Sequence, residues 1–570
     1  MSRSIKSLTV QQMLQLDRPV AALDTETTGV DIHHGCRPFY VSTCTENNVQ
    51  RSWASDVDPY TRIPHIALES RHQPGSPRDD RYKRYRREIQ EFVDTNYIVM
   101  HNAKFDVRAL QSIGIKTDWR YILDTLTMSH IWNSLTDHGL KHLGTAIGID
   151  TDDQAEVQQA TNRCRHIGRK AGWRIAEPGD PHFPGWKPRR DEGKWVLDMW
   201  LPATVHRMQH EGKIDTGLDK DTLAHYAHVL SKYGNIDAVR TVLLAKQLVR
   251  TLLTSSIEGD SGQTMWDLYK VRYENLEHTY NMEEHGVTYN CKELDTTIKT
   301  VTSKVQQLET QCYRIAGNKI DNLNSRPQLQ SLLFTDWKLP PTPLTKSGGY
   351  STKAAHLEVV KSGLRPSSRE YGFLHRYMQL AKLDTGITYL ASYKAHSHPT
   401  DHPTHDRIHP HYLTTGTRTT RLSGRNPNQQ NVSKQEDFNL RRVFAPLPGY
   451  VWYSPDYINI ELRILAYSCG ETELINAFER GESVHMLIAH VICPEMIKAA
   501  GGDDAFKETA QYRYVKNGNF SLTYGASRTT ADATYRIRGA YDKVRGYFTK
   551  LSKFMDQKIR QAKKHGYITC

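Results

Sequence analysis

Cysteine is scarce and scattered in this chain of 570 residues. Its eight cysteines are spread over the whole length, and none of them forms a C-x-x-C pair. Disulfide frameworks and cysteine-based zinc sites require closely spaced cysteines, so the sequence indicates neither. The pattern is typical of a reducing compartment, and we expect a cytoplasmic location.

Long apolar segments are also lacking. The N-terminal segment, MSRSIKSLTVQQ, does not contain the apolar core of a signal peptide. The sequence nowhere contains the run of about eighteen apolar residues that a membrane-spanning helix needs. We therefore expect a protein that is neither secreted nor inserted in a membrane. No repeat of fixed period occurs, so a repeat architecture is not indicated.

Positive charge is in excess. The 75 lysines and arginines outnumber the 63 acidic residues, which gives a net charge of +12 and an isoelectric point of about 9.1. This balance favours an anionic partner, of which nucleic acid is the commonest, although composition alone also suits a basic protein without one. A mass of 65.4 kDa predicts about two to four domains.

Strand and helix patterns alternate in the first part of the chain. Val20–Leu23 and Tyr97–Met100 are short apolar strand signals, and Ala238–Leu253 has a helical pattern. Alternation of this kind predicts an α/β domain over residues 1–250. Within it, residues 151–201 are rich in Arg, Trp, Pro and Gly, which predicts a surface insertion with some short helices. That insertion is either a solvated basic loop or a DNA contact.

Helical patterns dominate from residue 251 onward. Leu294–Ile315 and Tyr371–Tyr393 are predicted helices, and Tyr450–Ser454 is a predicted strand with further helices after it. The stretch His396–His411 contains six histidines among Pro, Thr and Asp. Prolines predict a loop there, and the absence of cysteine argues against a zinc site.

Acidic residues follow the two strand signals of the first domain. Asp24 and Glu26 are two apart on an extended chain, so both carboxylates point to one side and can converge on a cation. A D-x-E after a strand usually marks a loop, but Asp106 follows the second strand, in HNAKFD. Tyr233 and Asp237 are four apart in a predicted helix and share a face. The alternative, an ordinary surface pair, is disfavoured by the acidic motifs that precede it.

The motifs DTETTG, HNAKFD and Y-x-x-x-D, in this order, resemble the DEDDy 3′–5′ exonucleases that proofread for DNA polymerases. The segments L-D-T at 123–125 and H-G-L-K-H-L at 138–143 are similar to that family as well. The resemblance implies a ribonuclease H-like domain in which Tyr233 orients the attacking water. It also implies four carboxylates that hold two Mg²⁺ ions, Asp24, Glu26, Asp106 and Asp237. Magnesium prefers oxygen ligands, and two such ions about 3.5–4 Å apart suit phosphodiester hydrolysis.

A second set of motifs resembles family A DNA polymerases. These are T-T-R-L-S-G at 419–424 and P-N-Q-Q-N-V at 427–432, which imply that Arg421 and Asn431 contact the primer–template minor groove. Segments at 323–329 and 350–352 are similar to the family's thumb, and R-I-H-P at 407–410 matches a further family motif. The chain is therefore expected to continue as a mostly helical thumb and connecting region over 251–415 and as a partial palm and fingers over 416–570.

The segment D-Y-I-N-I-E-L-R at 456–463 resembles motif A of that family. The resemblance implies that Asp456, at the end of the predicted strand, holds a catalytic metal ion. Glu461 would then exclude a ribose 2′-hydroxyl. Ile458 and Asn459 depart from the usual Ser and Gln.

Residues 513–525 resemble motif B, a nucleotide-binding helix. At about 100° per residue, its cations and aromatic rings fall on one face, namely Arg513, Lys516, Phe520 and Tyr524. An amphipathic core helix would explain the aromatic residues but not the two cations beside them. The resemblance implies that this face binds a dNTP together with His485. The family's arginine lies one residue earlier, at the position of Tyr512.

The family's motif C, with the second palm carboxylate, does not occur in the sequence. Three explanations are open. The gene is split, or it is interrupted by an intein that would begin at Cys570, or this chain is part of a longer one. We expect a replicative polymerase of bacteriophage type, in a bacterial host cytoplasm, that needs the remaining palm for synthesis. A second polypeptide is then a partner, beside primer–template DNA and dNTPs. The alternative is a stand-alone exonuclease whose polymerase remnant grips DNA.

Overall fold

A computed structural model describes residues 8–33, 35–55, 57, 64–67, 77–149, 153–170, 217, 220–257, 262–345, 347–432 and 439–565. The protein is mixed α/β and mostly helical, and it consists of two compact units that divide between Val451 and Trp452. No helix in these ranges is both long enough and apolar enough to cross a membrane.

A five-stranded sheet forms the centre of the N-terminal part. Its strands are β1 (Val20–Thr27), β2 (Pro38–Thr45), β3 (Gln50–Ala54), β4 (Tyr97–Met100) and β5 (Ile122–Asp124). Their order is β3-β2-β1-β4-β5. The β1–β2 and β2–β3 pairs are antiparallel, whereas β1–β4 and β4–β5 are parallel. Both predicted strands are confirmed, and β1 continues past Leu23 as far as Thr27.

Helices cover both faces of this sheet. They are α1 (Val10–Leu14), α2 (Pro77–Thr95), α3 (Ala103–Gln111), α4 (Thr125–Trp132), α5 (Leu140–Ala146), α6 (Asp153–Lys170) and α7 (Lys220–Thr254). Val20 and Ala22 of β1 pack in the core formed with α7, whereas Leu23 packs in the core formed with α2 and α3. Alternate residues of the strand therefore serve opposite cores, as its period of two requires.

Helix α7 is longer than its predicted extent. The predicted helix Ala238–Leu253 is confirmed, and the structure extends it to Lys220 at its N-terminal end. Val229 in that extension packs against Val157 and Ala160 of α6. Helix α6 is the described beginning of the predicted insertion over 151–201, and the rest of that prediction lies outside the described residues.

A helical layer follows the sheet domain within the same unit. It contains α8 (Met265–His285), α9 (Cys291–Ala316), α10 (Arg326–Gln330), α11 (Ala354–Ser362) and α12 (Arg369–Ala395), with a π-helical turn at Ser331–Asp336. Helices α9 and α12 share one hydrophobic core. The predicted helices Leu294–Ile315 and Tyr371–Tyr393 are thereby confirmed.

Short strands occupy part of the histidine-rich tract that was predicted as a loop. Strands β6 (Val287–Asn290), β7 (His398–Pro399) and β8 (His405–Ile408) form a sheet of order β6-β8-β7. Strands β9 (His411–Leu413) and β10 (Ser423–Arg425) form a hairpin. The loop prediction was wrong for β7 and β8 because their antiparallel pairing depends on β6, more than 100 residues earlier in the chain. Local proline content carries no information about such a partner.

The second unit is helical. It contains α13 (Ile460–Cys469), α14 (Thr472–Glu479), α15 (Val484–Ile492), α16 (Pro494–Ala500), α17 (Asp503–Lys507), α18 (Ala510–Thr523), α19 (Arg528–Tyr535), α20 (Ala540–Tyr547) and α21 (Thr549–His565). One core of aliphatic and aromatic side chains joins these helices.

The predicted strand Tyr450–Ser454 is absent. Residues 451–456 are irregular, and within the described chain no strand pairs with them. Val451 and Tyr453 are 90% and 87% exposed. The prediction was wrong because β propensity produces a strand only where a neighbour supplies the ladder hydrogen bonds. Asp456 therefore does not stand at a strand end in this structure.

Candidate functional site

Three predicted carboxylates converge at the central strand of the five-stranded sheet. Asp24 and Glu26 lie on β1 and Asp237 lies on α7, and one oxygen of each is within 4.8 Å of the others. The two β1 residues meet because they are two apart on a strand. The strand and the helix are brought together by the burial of apolar residues such as Ala22 and Ala238.

Asp106 is the fourth predicted carboxylate, and it is hydrogen-bonded to the strand between the first two. Its Oδ1 atom accepts from the Thr25 backbone N–H at 3.1 Å and from the Thr25 hydroxyl at 2.7 Å. Asp106 lies in α3 and is only 3% exposed. The structure thus places all four predicted carboxylates around β1.

Burial and mutual repulsion keep these carboxyl groups protonated to unusually high pH. Burial, then the charge of Asp237, raises the pKa of Glu26 to about 8, and Lys141 opposes the rise. Burial raises the pKa of Asp106 to about 7, against the hydrogen bonds from Thr25. Burial and the neighbouring carboxylates also raise the pKa of Asp24. A buried, oxygen-only donor set of this charge fits hard divalent cations such as Mg²⁺.

Tyr233 lies one turn before Asp237, on the same face of α7. Its hydroxyl accepts a hydrogen bond of 2.7 Å from Lys141 Nζ. The helix is held against the sheet next to it, because the Ser42 hydroxyl of β2 donates to the Gly234 carbonyl at 2.7 Å. A Cβ atom at Gly234 would lie 2.7 Å from the Tyr40 ring, so only glycine allows this approach.

Two further side chains organise the site and were not predicted. Arg240 is fully buried, and its Nη1 donates to Asp237 Oδ1 at 2.6 Å. Asp124 accepts from the backbone N–H groups of Asn102, Ala103 and Thr127 at 2.8–3.0 Å, and therefore anchors the start of α3 and caps α4. The i+3 spacing of Arg240 from Asp237 was a readable signal for an ion pair. The resemblance of the L-D-T segment to the exonucleases singled out Asp124, but it did not indicate that Asp124 caps a helix.

The second unit presents the predicted cationic and aromatic face of α18. Arg513, Lys516 and Phe520 are exposed, whereas Tyr512, Val515, Asn519 and Leu522 on the other side of the helix are buried. Tyr524 follows the helix directly and is 62% exposed. The face predicted from a rotation of about 100° per residue is therefore present.

His485 lies against this helix from α15. Its Nδ1 is 2.9 Å from the Asn519 side-chain nitrogen, and its ring centroid is 5.8 Å from that of Phe520. Asn519 is held in turn by the Tyr535 hydroxyl, which donates to its Oδ1 at 2.9 Å. Burial, with the charge of Lys516, lowers the pKa of His485 to about 4, so the imidazole is neutral near pH 7. Sequence patterns did not indicate Asn519 or Tyr535, whose roles depend on contacts between three helices.

Tyr512, at the position of the family's arginine, has a packing role here. It is 8% exposed, and its ring lies 4.7 Å from Lys516 Nζ. Its hydroxyl is 3.4 Å from the Ser483 hydroxyl. Tyrosine carries no positive charge, so the positive charge on this face comes from Arg513 and Lys516.

The motif A residues differ in their surroundings. Glu461 lies in the first turn of α13, and its Oε2 accepts a hydrogen bond from the Tyr524 hydroxyl. Asp456 is exposed in the irregular segment before that helix. The structure therefore brings Glu461 into contact with the motif B side chains but places Asp456 apart from any regular element.

Arg421 and Asn431 lie in the first unit, and both are exposed. The loop that carries them is ordered by Gln430, whose Oε1 accepts from the Gly424 backbone N–H at 2.6 Å. Gln430 Nε2 donates to the Leu422 carbonyl at 3.0 Å. Asn431 also lines a cavity of about 350 Å³ with Lys304, Lys361 and other residues of α9, α11 and α12.

The C-terminal half of the chain matches a known family. The model for "DNA polymerase family A" aligns with residues 291–570. Over these residues the chain is similar to DNA polymerase family A. All six predicted nucleotide-site residues of the second unit lie within the matched range, namely Glu461, His485, Arg513, Lys516, Phe520 and Tyr524.

Relatives of this chain include bacterial proteins named DNA polymerase I. A thermostable DNA polymerase I of Thermus thermophilus is 30% identical over 351 residues, covering 60% of this chain and 40% of the relative. DNA polymerase I of Caldicellulosiruptor bescii is 32% identical over 353 residues, covering 59% and 39%. The chain therefore spans about 40% of the length of these relatives.

A solved structure shares the fold. It is the POL domain of Pol1 from M. smegmatis in complex with DNA primer-template and dNTP. The similarity has a TM-score of 0.58 at 17% identity and covers 98% of this chain and 79% of that chain. The arrangement of a family A polymerase fold thus extends beyond the aligned half of the sequence.

Proposed function

We propose that this chain is a DNA-directed DNA polymerase with a 3′–5′ proofreading exonuclease. The observation that carries the exonuclease is the convergence of Asp24, Glu26 and Asp237, with Asp106 and Tyr233 beside them. The family A match supports the polymerase. We further propose a role in DNA replication of bacteriophage type, in the cytoplasm of a bacterial host, on the basis of the sequence resemblance.

The exonuclease part would be a ribonuclease H-like domain over residues 1–250. Its strand order β3-β2-β1-β4-β5 supports this assignment. In this sheet β3, β2 and β1 pair in antiparallel fashion, and β4 and β5 run parallel to β1. The four carboxylates would hold two Mg²⁺ ions, which supply a hydroxide nucleophile and neutralise the leaving oxygen when bound. Tyr233 would orient the attacking water through its hydroxyl. Arg240 fixes the position of Asp237 by a buried ion pair.

The polymerase part would bind the incoming dNTP on the exposed face of α18. Lys516 and Arg513 provide positive charge for the triphosphate, and Phe520 and Tyr524 provide rings for the base. His485 would donate to the phosphates from a neutral ring. Glu461, held by the Tyr524 hydroxyl, would occupy the space that a ribose 2′-hydroxyl needs. Mg²⁺ is the proposed metal of this site too, with Asp456 as one ligand.

Primer–template DNA would be held by the loop that carries Arg421 and Asn431. Both side chains are exposed on a loop whose backbone is fixed by Gln430. The M. smegmatis protein was solved with a primer-template and a dNTP, and we extend both ligands to this chain as a proposal. Such binding should weaken steeply with salt, because phosphate contacts release counterions.

A further palm segment is proposed to complete the polymerase site. The segment before α13 exposes five large apolar side chains, Val451, Trp452, Tyr453, Tyr457 and Ile458. Exposed runs of aromatic and β-branched residues are typical of surfaces that another chain covers. A second polypeptide with the remaining palm strands would pair with this segment and fix Asp456.

The alternative function is a stand-alone exonuclease with a DNA-gripping polymerase remnant. The observation that favours it is the exposed, irregular position of Asp456. One unfixed carboxylate does not hold a two-metal site. The two functions differ in whether a second polypeptide restores synthesis.

The test uses the full chain on a 5′-labelled primer–template with Mg²⁺, with and without dNTPs. An Asp24→Ala/Glu26→Ala double variant is the matched control, because it removes two ligands of the exonuclease site only. We expect the wild-type chain to shorten the primer and the double variant to leave it intact. Adding the polypeptide encoded downstream, where one exists, should give dNTP-dependent extension.

Each component of the proposal has its own contrary result. Shortening that persists in the double variant would show that hydrolysis does not come from the carboxylate cluster. Extension by the chain alone would show that no second polypeptide is needed. Failure of extension with the downstream product present would leave the exonuclease as the only enzymatic function.

A further inference from the structure

Lys141 lies in the first turn of α5, directly beside the exonuclease candidate site. Its Nζ donates a hydrogen bond of 2.7 Å to the Tyr233 hydroxyl and lies 4.2 Å from the centre of that ring. The side chain is only partly exposed, and α5 packs against α7, which carries Tyr233. The ammonium group is therefore held at the phenol rather than projecting freely into solvent.

The same ammonium group acts on the carboxylates of the site. Its positive charge lies close enough to Asp24 and Glu26 to attract both carboxylates. Lys141 thus faces the metal-binding cluster as well as the phenol. A surface lysine that only packs its stem would show neither interaction.

The hydrogen bond has a direct chemical consequence for Tyr233. A lysine ammonium group is a donor only, so the phenol oxygen must accept from it. The phenol proton is then left to be donated elsewhere, and the bond fixes which way the oxygen lone pairs point. A tyrosine that orients a water molecule needs such a constraint, because a free hydroxyl rotates.

We propose that Lys141 is a positioning residue of the exonuclease, acting through Tyr233 to orient the attacking water. The proposal rests on the exonuclease function proposed above. It concerns a residue to which neither the motif resemblance nor the family A match assigns a role. It predicts that Lys141 and Tyr233 behave as one unit in hydrolysis.

The experiment is a double-mutant cycle in the full chain, with Lys141→Met, Tyr233→Phe and the combined variant. The single-turnover rate of hydrolysis of a 5′-labelled single strand is measured with saturating Mg²⁺, alongside the Kd for that strand without metal. Lys232→Met is the matched control, because Lys232 neighbours Tyr233 in sequence but pairs with Glu156 at 3.0 Å. Lys141→Arg tests whether a donor of the same charge rescues the rate.

We expect Lys141→Met to lower the single-turnover rate about 10–100-fold, with the Kd for the strand changed less than about 3-fold. In the Tyr233→Phe background the same substitution should lower the rate by no more than about 2-fold, because the two residues form one unit. Lys141→Arg should restore most of the loss, and Lys232→Met should hydrolyse at the wild-type rate.

Three results would overturn the proposal. An unchanged rate for Lys141→Met would show that the hydrogen bond has no role. Equal losses in the wild-type and Tyr233→Phe backgrounds would show that Lys141 acts on the DNA phosphate and not through Tyr233. Absence of hydrolysis by the folded wild-type chain would overturn the exonuclease function itself.

Discussion

At the scale of single residues, this protein gives chemically identical side chains opposite roles. Asp106 and Asp124 both belong to the N-terminal motifs, and both are buried. Asp106 faces the carboxylate cluster through Thr25, whereas Asp124 uses both oxygens to accept backbone N–H groups at two helix starts. Residue type and motif position do not separate these roles, but hydrogen-bond partners do.

This difference gives a prediction for two matched substitutions. Asp124→Ala should lower the free energy of unfolding by about 1–3 kcal/mol, because it leaves several buried N–H groups without an acceptor. Asp106→Ala should abolish exonuclease activity with a smaller loss of stability, since it relieves repulsion within the cluster. Denaturant unfolding and single-strand hydrolysis measure the two effects. An Asp124→Ala protein of wild-type stability would contradict the capping role.

At the scale of elements, a buried ion-pair network joins α3 to α8 and the β9 strand. Glu283 of α8 is 2% exposed and pairs with Lys104 at 2.5 Å and with Arg108 at 2.7 Å. It also accepts from the Tyr412 backbone N–H at 2.6 Å. The helix that carries Asp106 is thereby bonded to the hairpin that leads to Arg421. Buried charges of this kind define a unique arrangement more than they add stability.

The network predicts a large cost for losing its central carboxylate. Glu283→Gln should destabilise the protein by about 3–5 kcal/mol, because two buried cations lose their partner. Glu284→Gln is the control, since Glu284 pairs with Arg108 but is 35% exposed, and its loss should cost about 1 kcal/mol or less. Denaturant unfolding measures both. Equal costs for the two variants would show that burial of the network is not the deciding factor.

Element-scale pairing also explains which parts of the fold could be predicted from sequence. Strand β1 and the exposed face of α18 depend on local periods of 2 and 3.6 residues, and both predictions are confirmed. The strand Tyr450–Ser454 and the loop over His396–His411 were wrong because strand formation depends on a distant partner. Lys141 and Arg240 were missed for the related reason that contacts across elements define their roles.

At the scale of the whole molecule, buried histidines in both units resist protonation. Burial lowers the pKa of His409 and of His411 in the first unit to about 4, and that of His485 in the second unit likewise. The unfolded chain takes up a proton near pH 6.5, whereas the folded chain does not. The contribution of these histidines to stability is therefore fully present above about pH 6.5 and is lost as the pH falls toward 4.

The pH prediction follows from this sign. Lowering the pH from 7.5 to 5 should remove about 1–2 kcal/mol of stability for each such histidine, while the raised pKa values of Glu26 and Asp106 act in the opposite direction. His485→Gln should remove part of that dependence while leaving the contribution of His409 and His411. Urea unfolding at both pH values measures the difference. A pH dependence of stability that His485→Gln leaves unchanged would contradict the neutral, buried state of that ring.

Divalent cations should stabilise the folded chain through the carboxylate cluster. Asp24, Glu26 and Asp237 crowd like charges into a buried site, so a bound cation relieves repulsion that the metal-free protein retains. At a Mg²⁺ concentration about 100 times the dissociation constant, binding adds about 2.7 kcal/mol to the free energy of unfolding. Addition of EDTA should reverse the gain. An Asp24→Asn/Glu26→Gln variant should respond little to Mg²⁺ and be at least as stable as the metal-free wild type, because it carries less buried charge while Asp237 keeps its ion pair with Arg240. A variant that is stabilised by Mg²⁺ as much as the wild type would place the responsible cation elsewhere in the molecule, and with it the chemistry that the cluster is proposed to perform.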